Sequence, residues 1–313
     1  MLTESYKSAT ERAAIAEQDW CGIVKLTGSE RVSWLQGMVT NDVQKLAPGS
    51  GCYAAHLTPQ GKIVAHMHIL ADEDVLWLSL ERAGIPKLIE AFDKLLIMED
   101  VQMADVSDEY SILGLIGPQS PALLKSWAGQ ALDLSARYSH RQLDNCRIVS
   151  SDLGYDIWVP RAQTDAIVRS LTQAGATAID RGTWDVLRTE AGVPIYGVDI
   201  DETTTMPEIG EAGISYDKGC YIGQEVVAKV KYIGHVNRRF VGLVFSANAL
   251  PEIKSVIRKG GRDVGYVTTA LFSPRLNKPI ALGFVNRAAC APGSEVEVGA
   301  QMATVVEVPF KGE

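Results

Sequence analysis

The segment KGCYIGQE, residues 218–225, is the most unusual stretch of this chain. It places a glycine directly before Cys220 and a second glycine three residues after it, and glycine permits backbone conformations and close approaches that other residues exclude. The residues that follow alternate between apolar and charged, which predicts that they open a short helix. A thiol beside a lysine and just before a helix N-terminus is stabilised as the reactive thiolate. The segment therefore predicts a reactive Cys220, with a structural cysteine in a tight turn as the alternative.

The pattern of predicted secondary structure changes at about residue 237. Before it, strand–helix units are mixed with hairpins, which favours an α+β fold over a doubly wound parallel sheet. After it, short β-rich runs are separated by turn residues without helical periodicity, which is typical of a small sandwich or barrel. The sequence therefore predicts one region over residues 1–236 and a C-terminal β domain over residues 237–313.

Hydrophobic periodicity and turn residues predict the individual elements. Helices are expected over residues 8–17, 30–37, 85–96, 121–127, 163–174 and 183–191. Strands are expected over residues 20–26, 52–57, 63–70, 75–80, 112–116, 146–150 and 155–159, and in the β domain over residues 239–245, 264–272, 281–285, 295–298 and 303–308. The turns at residues 58–61 and 152–154 predict two hairpins.

Composition narrows the class of protein. The chain has 313 residues, 46% of them hydrophobic, which predicts a folded core. Its 38 acidic against 30 basic residues give a net charge of −8, so we expect neither a general nucleic-acid partner nor an anionic membrane surface. The polar N-terminal stretch predicts no secretory signal, and no run of about 18 apolar residues predicts a membrane span. Five scattered cysteines without a C-x-x-C pair predict a reducing cytoplasm, no disulfide framework and no metal site of their own.

Two polar arrangements outside the glycine-flanked segment are open to more than one interpretation. Arg188 and Glu190 belong to a predicted helix and could line a site at its end, although charged helix faces are usually only solvated. His66 and His68 repeat at the strand period and so share one face, where a metal would need further ligands that the sequence does not identify. Dinucleotide, P-loop, zinc-protease and serine-hydrolase motifs are absent from the sequence.

The segment KGCYIGQE resembles the signature of the YgfZ folate-binding proteins, which are relatives of the glycine cleavage T-protein (aminomethyltransferase). The similarity continues in VSWLQGMVTNDV at residues 32–43, CYAAHLTPQGKIVAHM at 52–67, WDVLRTEAGVPIYGVD at 184–199, RRFVGL at 238–243, GYVTTALFSPRLNKPIALGFV at 265–285 and VPF at 308–310. It implies two interwoven mixed α/β domains and a C-terminal small β-barrel, arranged like a ring around a channel for tetrahydrofolate or a one-carbon derivative. It also implies a role in assembling or repairing iron–sulfur clusters, with iron–sulfur client or assembly proteins as partners.

One position departs from the pattern of the aminomethyltransferases, whose first hairpin carries G-G-x-x-D-D. In this chain Ala65 and His66 stand in place of the two carboxylates. A carboxylate at that place would manage the proton on a folate nitrogen and stabilise developing positive charge. The departure argues against glycine cleavage and leaves folate binding intact.

The resemblance also assigns candidate ligands. The family segment G-E-x-G-x-E corresponds to residues 151–156, where Asp152 and Asp156 keep both carboxylates. Asp152, Asp156 and Glu190 are the unranked candidates for accepting hydrogen bonds from the amino and ring N–H groups of pterin. Arg238 or Arg239 could pair with the anionic glutamate tail of folate. The candidate catalytic residue is Cys220. The candidate cofactor-binding residues are Asp152, Asp156, Arg188, Glu190, Lys218, Gly219, Tyr221, Gly223, Gln224, Glu225 and Arg238.

The sequence thus predicts a tetrahydrofolate-binding protein that supports iron–sulfur enzymes through the Cys220 thiol. A tetrahydrofolate-dependent aminomethyltransferase or demethylase is the alternative, because another carboxylate could reach the place that Ala65 and His66 leave without one. A binding module without folate is a third interpretation.

Overall fold

The computed structural model describes residues 4–311 and divides them into two compact units. The first unit contains residues 4–181 together with Ala212–Gln224. The second unit contains Gly182–Glu211 together with residues 225–311. Each unit is therefore built from two separate stretches of the chain.

The first unit is a pair of β-sheets with helices. Its helices are α1 (Glu4–Glu11), α2 (Arg31–Met38), α3 (Ile85–Asp93), α4 (Ser120–Ala128) and α5 (Thr164–Gln173). Its strands are β1 (Ala14–Glu17), β2 (Cys21–Thr27), β3 (Ser50–Leu57), β4 (Ile63–Ala71), β5 (Leu76–Glu81), β6 (Gln102–Asp105), β7 (Tyr110–Ile116), β8 (His140–Leu143), β9 (Cys146–Ser150), β10 (Gly154–Pro160) and β11 (Thr177–Ala178).

The two sheets of this unit are interwoven along the chain. The six-stranded sheet has the order β11-β1-β7-β10-β9-β8, and the five-stranded sheet has the order β3-β4-β5-β2-β6. The chain gives β1 to the first sheet, builds the whole of the second, and returns to the first with β7. Apolar side chains of both sheets pack together, and the rings of Trp77 and Trp158 meet edge to face with centroids 6.2 Å apart.

The second unit contains a closed barrel. Its helices are α6 (Arg181–Ala191, whose first residue belongs to the first unit), α7 (Met206–Ile209) and α8 (Gln224–Tyr232, likewise). Its strands are β12 (Arg238–Phe245), β13 (Val256–Lys259), β14 (Arg262–Ser273), β15 (Lys278–Asn286), β16 (Glu295–Val298) and β17 (Gln301–Val306). They close in the order β12-β15-β14-β13-β16-β17 around valine-rich side chains. The predicted α+β class with a C-terminal barrel is confirmed.

Most of the predicted elements are present, including both hairpins. The helix predicted over residues 8–17 is wrong in its second half: α1 ends at Glu11, and Ala14 to Glu17 form β1 between β7 and β11. Two partner strands there outweigh the helix propensity of alanine. The short strands β6, β8 and β13 were not predicted, because they are too short and polar to alternate clearly. The domain boundary near residue 237 stays a prediction.

Membrane-spanning helices were searched for over the described residues. The longest helix within residues 4–311 has 11 residues, and none there joins the length and apolar character needed to cross a bilayer.

Candidate functional site

Residues 218–224, here called the thiol loop, are fixed at their first residue by Lys218. Its ammonium group donates hydrogen bonds to the backbone oxygens of Gln36, Val39 and Asn41, at 2.6, 2.6 and 2.9 Å. These carbonyls lie at the C-terminal end of α2, where a helix favours a cation. Burial lowers the pKa of Lys218 to about 8, so the group is still mostly protonated at neutral pH. Lys218 therefore anchors the loop to the C-terminal end of α2 and the residues directly after it.

A second anchor follows Cys220. The backbone N–H of Ile222 donates to the carbonyl of Gly37 at 3.2 Å. Gly223 has a φ of +83°, and a Cβ built there would lie 2.6 Å from the carbonyl oxygen of Thr58. The side chain of Gln224 accepts a hydrogen bond from the N–H of Tyr221 at 3.2 Å, directly before α8 continues. Cys220 is exposed and projects between these two anchored points.

Replacing Gly223 by alanine is expected to lower the free energy of unfolding by about 1–3 kcal/mol. The left-handed backbone and the contact with Thr58 both oppose a Cβ at this position. Chemical denaturation measures the change. Gly219→Ala is the matched control, because a Cβ at Gly219 meets nothing within 4 Å. Equal stability of the two variants would show that the loop is not seated as described.

Asp152 lies in the turn between β9 and β10 and is surrounded by hydrogen-bond donors. Its Oδ1 accepts from Arg137 Nε at 3.0 Å and from the Tyr138 hydroxyl at 2.9 Å, and its Oδ2 lies 3.7 Å from His68 Nε2. The rings of His68 and Tyr138 stack with centroids 4.6 Å apart. Burial by itself would raise the pKa of Asp152, but His68 and Arg137 hold it well below the usual range. Asp152 is therefore an ionised carboxylate whose charge is compensated by neighbouring side chains and whose oxygens already have hydrogen-bond partners.

Asp156 lies on β10 and has a different environment. Gln18 donates a hydrogen bond to its Oδ1 at 2.6 Å, and the Ser151 side chain is a second neutral donor. Burial raises the pKa of Asp156 to about 6, and these donors together with the charge of His68 offset only part of that effect. Asp156 is half-buried, and a carboxylate whose direct donors are neutral is available to a ligand that brings its own N–H groups.

The remaining predicted ligands lie in the second unit, where Arg188, Glu190 and Arg238 join the segment Gly182–Glu211 to the barrel. Arg188 is buried and donates to Asp199 at 2.7 Å. Glu190 is buried and accepts from the Ser273 hydroxyl at 2.5 Å. Arg238 donates to Glu208 at 3.0 Å and to the Tyr266 hydroxyl at 3.0 Å. Glu225 is an exposed residue in the first turn of α8. A folate-binding role for these residues stays a prediction.

The structure brings together side chains that the sequence did not single out. Gln18, Arg137 and Tyr138 contact the two aspartates, although Gln18 is 138 residues from Asp156. The sequence carried no local signal for these contacts, because Arg137 and Tyr138 precede β8, a strand that was not predicted, and Gln18 lies far from the hairpin along the chain. Among the described residues, no group of three or more His, Cys, Asp or Glu is placed to hold a metal ion.

Comparisons with known proteins agree with this fold. The GCVT N-terminal domain matches residues 1–215, and the glycine cleavage T-protein C-terminal barrel domain matches residues 238–311. The glycine cleavage system aminomethyltransferase T from Bartonella henselae superposes with a TM-score of 0.90 at 21% identity, covering 98% of this chain and 89% of that one. The architecture is therefore that of aminomethyltransferase T.

Two sequence relatives give the same result. The aminomethyltransferase of Rippkaea orientalis is 31% identical over 99% of this chain and 89% of its own length. The aminomethyltransferase of Thermoanaerobacter sp. (strain X514) is 26% identical over 95% of this chain and 84% of its own. The chain belongs to the glycine cleavage T-protein (GCVT) family. Aminomethyltransferases of this family use tetrahydrofolate as substrate or cofactor.

Proposed function

We propose that this protein is a folate-binding member of the YgfZ branch of the family and supports the assembly or repair of iron–sulfur clusters. Asp156 carries the folate-binding part of the proposal: it is a half-buried carboxylate whose direct donors are neutral, and its two oxygens can accept hydrogen bonds from a ligand with an amino group and a ring N–H. The proposed compartment is the cytoplasm, supported by five cysteines that are all free.

In this proposal the two aspartates of the first unit have different roles in binding tetrahydrofolate. Asp156 accepts hydrogen bonds from the pterin. Asp152 stays ionised because His68 and Arg137 stabilise its negative charge, and these contacts keep the hairpin in place. When bound, the folate supplies a carrier for a one-carbon group. Cys220 is exposed on a loop that Lys218 fixes, which supports a thiol presented to another molecule.

Replacing Cys220 by alanine is expected to leave folding and folate affinity unchanged, because the side chain is exposed between two anchors that do not use it. The variant should fail to restore iron–sulfur enzyme activity in a strain that lacks the protein. Cys290→Ala is the matched control, since Cys290 is a half-buried cysteine outside the thiol loop. Full restoration by Cys220→Ala would contradict the proposed role of the thiol.

A tetrahydrofolate-dependent aminomethyltransferase is the second candidate function. The curated relatives named aminomethyltransferase favour it. Ala65 and His66 argue against it, because neither puts a carboxylate on β4. Incubation with tetrahydrofolate and a methylamine donor separates the two: an assembly factor gives no product, and catalytic turnover would support the enzyme.

A further inference from the structure

The row of residues across the strands β1, β7 and β10 has no side chain at its middle position. In the register of the six-stranded sheet, Gly114 on β7 lies between Ala16 on β1 and Asp156 on β10. Side chains of directly opposed residues lie on the same face of a sheet. A side chain at position 114 would therefore stand beside the Asp156 carboxylate, and glycine leaves that space open.

Gln18 uses the space that Gly114 leaves. It lies two residues after Ala16, which is the strand period, and its backbone N–H donates to the carbonyl of Ile112 on β7 at 2.8 Å. Its side-chain Nε2 donates to Asp156 Oδ1 at 2.6 Å. A Cβ built on Gly114 would lie 2.7 Å from that same Nε2. The hydrogen bond therefore depends on the absence of a side chain at position 114.

Cys21 fixes the orientation of the Gln18 amide from the other end. The Gln18 side chain is buried, and its Oε1 accepts a hydrogen bond from the Cys21 thiol at 3.7 Å. Burial raises the pKa of the Cys21 thiol well above its usual value, so the thiol keeps its proton and remains a donor. With Oε1 turned toward this donor, Nε2 is the amide atom that faces Asp156. The arrangement suits an ionised carboxylate, which accepts hydrogen bonds and donates none.

We propose that Gln18 is the positioning residue for Asp156, and that the missing side chain at Gly114 is what allows the Gln18 amide to cross β7. This inference rests on the proposed folate binding, in which Asp156 accepts hydrogen bonds from the pterin. Gln18 holds one oxygen of the half-buried carboxylate in place. It also stabilises the ionised form of Asp156, which is the form that accepts two N–H groups together.

The other groups that act on Asp156 lie on β4 and in the hairpin turn. His68 lowers its pKa, Asp152 raises it, and the Ser151 side chain is a second hydrogen-bond donor. Burial raises the pKa of Asp156 to about 6, and the Gln18 hydrogen bond opposes that effect. Loss of this hydrogen bond should therefore raise the pKa further. Since a protonated Asp156 accepts pterin N–H groups less well, the contribution of Gln18 to binding should depend on pH.

The test is calorimetric titration of the full chain with 5-formyl-tetrahydrofolate at pH 6 and pH 8, comparing wild type, Gln18→Ala, Gly114→Ala and the double variant. Gln18→Ala should bind about 5- to 10-fold more weakly than wild type at pH 6 and within about threefold of it at pH 8. Gly114→Ala should behave in the same way, because its Cβ displaces the Gln18 amide. Gln142→Ala, at an exposed glutamine on β8, is the matched control and should bind as wild type.

The double variant and an NMR titration separate positioning from general damage. Because Gly114→Ala acts through Gln18, the double variant should bind within about twofold of Gln18→Ala alone. In the protein without folate, the carboxyl carbon of Asp156 should titrate at a higher pH in Gln18→Ala than in wild type. The carboxyl carbon should titrate as in wild type in Gln142→Ala.

An unchanged pKa of Asp156 in Gln18→Ala, or an equal loss of affinity at both pH values, would contradict the positioning role of Gln18. Additive losses in the double variant would contradict the role of Gly114. A folded wild-type protein that binds no folate would overturn the proposed function, and the NMR titration would still decide whether Gln18 controls Asp156. If Gly114→Ala fails to fold, Gln18→Met removes the same hydrogen bond with the side-chain volume kept, and should give the same dependence on pH.

Discussion

Replacing Asp199 by alanine lowers the free energy of unfolding of the second unit by about 3–5 kcal/mol, the largest stability effect that we expect. The Asp199 carboxylate is fully buried and accepts hydrogen bonds from Arg188 at 2.7 Å, Thr268 at 2.7 Å and Thr269 at 2.6 Å. It also accepts from the backbone N–H of Ile195 at 3.0 Å. Alanine would leave the buried Arg188 charge without its main counterion, and the Thr269 hydroxyl and the Ile195 N–H without an acceptor.

Denaturant unfolding measures this loss, and peptide-level hydrogen exchange locates it. Protection should fall in Gly182–Glu211 and in β14, the two stretches that Asp199 joins. Glu252→Ala is the control, since Glu252 is an exposed loop carboxylate and should change stability by less than about 0.5 kcal/mol. A change below about 1 kcal/mol in Asp199→Ala would contradict the buried network.

Replacing Asp156 by asparagine should have two opposite effects, weaker folate binding and a more stable protein. Binding should fall about 100-fold or more, because two parallel charge-assisted hydrogen bonds to the pterin lose their charge. The stability effect follows from the pKa of Asp156, which is about 6 in the folded protein against an ordinary value of 3.8. Between these values the folded state binds more protons, so stability falls as the pH rises, by up to about 3 kcal/mol. Asparagine removes this loss.

The gain in stability of Asp156→Asn should therefore grow from about pH 4 to pH 6 and then level off. Thermal unfolding across this range measures it. Asp152→Asn is the matched control four residues away. The pKa of Asp152 is lowered by His68 and Arg137 against the effect of burial, so its ionised form stabilises the fold at neutral pH. That variant should be less stable than wild type at pH 7, and the same sign in both variants would contradict the two assigned environments.

The sequence predicts individual strands and segments better than it predicts which strands pair and which side chains meet in the folded protein. The alternation in β4 and the turn at residues 58–61 were sufficient to predict the first hairpin. β1 was missed because its identity as a strand depends on β7 and β11, which lie far along the chain. Long-range pairing of this kind leaves no local pattern to read.

The candidate site also depends on long-range contacts that the sequence does not reveal. The glycine-flanked Cys220 was identifiable from the sequence, but the carbonyls that hold Lys218 are about 180 residues away. The sequence also could not rank Asp152 against Asp156. Their ranking depends on Arg137 and Gln18, which meet the hairpin only after folding.

The most direct test of folate binding is calorimetric titration of the full chain at pH 7 with 5-formyl-tetrahydrofolate, a stable reduced folate. We expect one binding site with a dissociation constant on the order of micromolar, and a loss of that binding in Asp156→Asn. No binding by a protein shown to be folded, or equal binding by wild type and Asp156→Asn, would contradict the proposal.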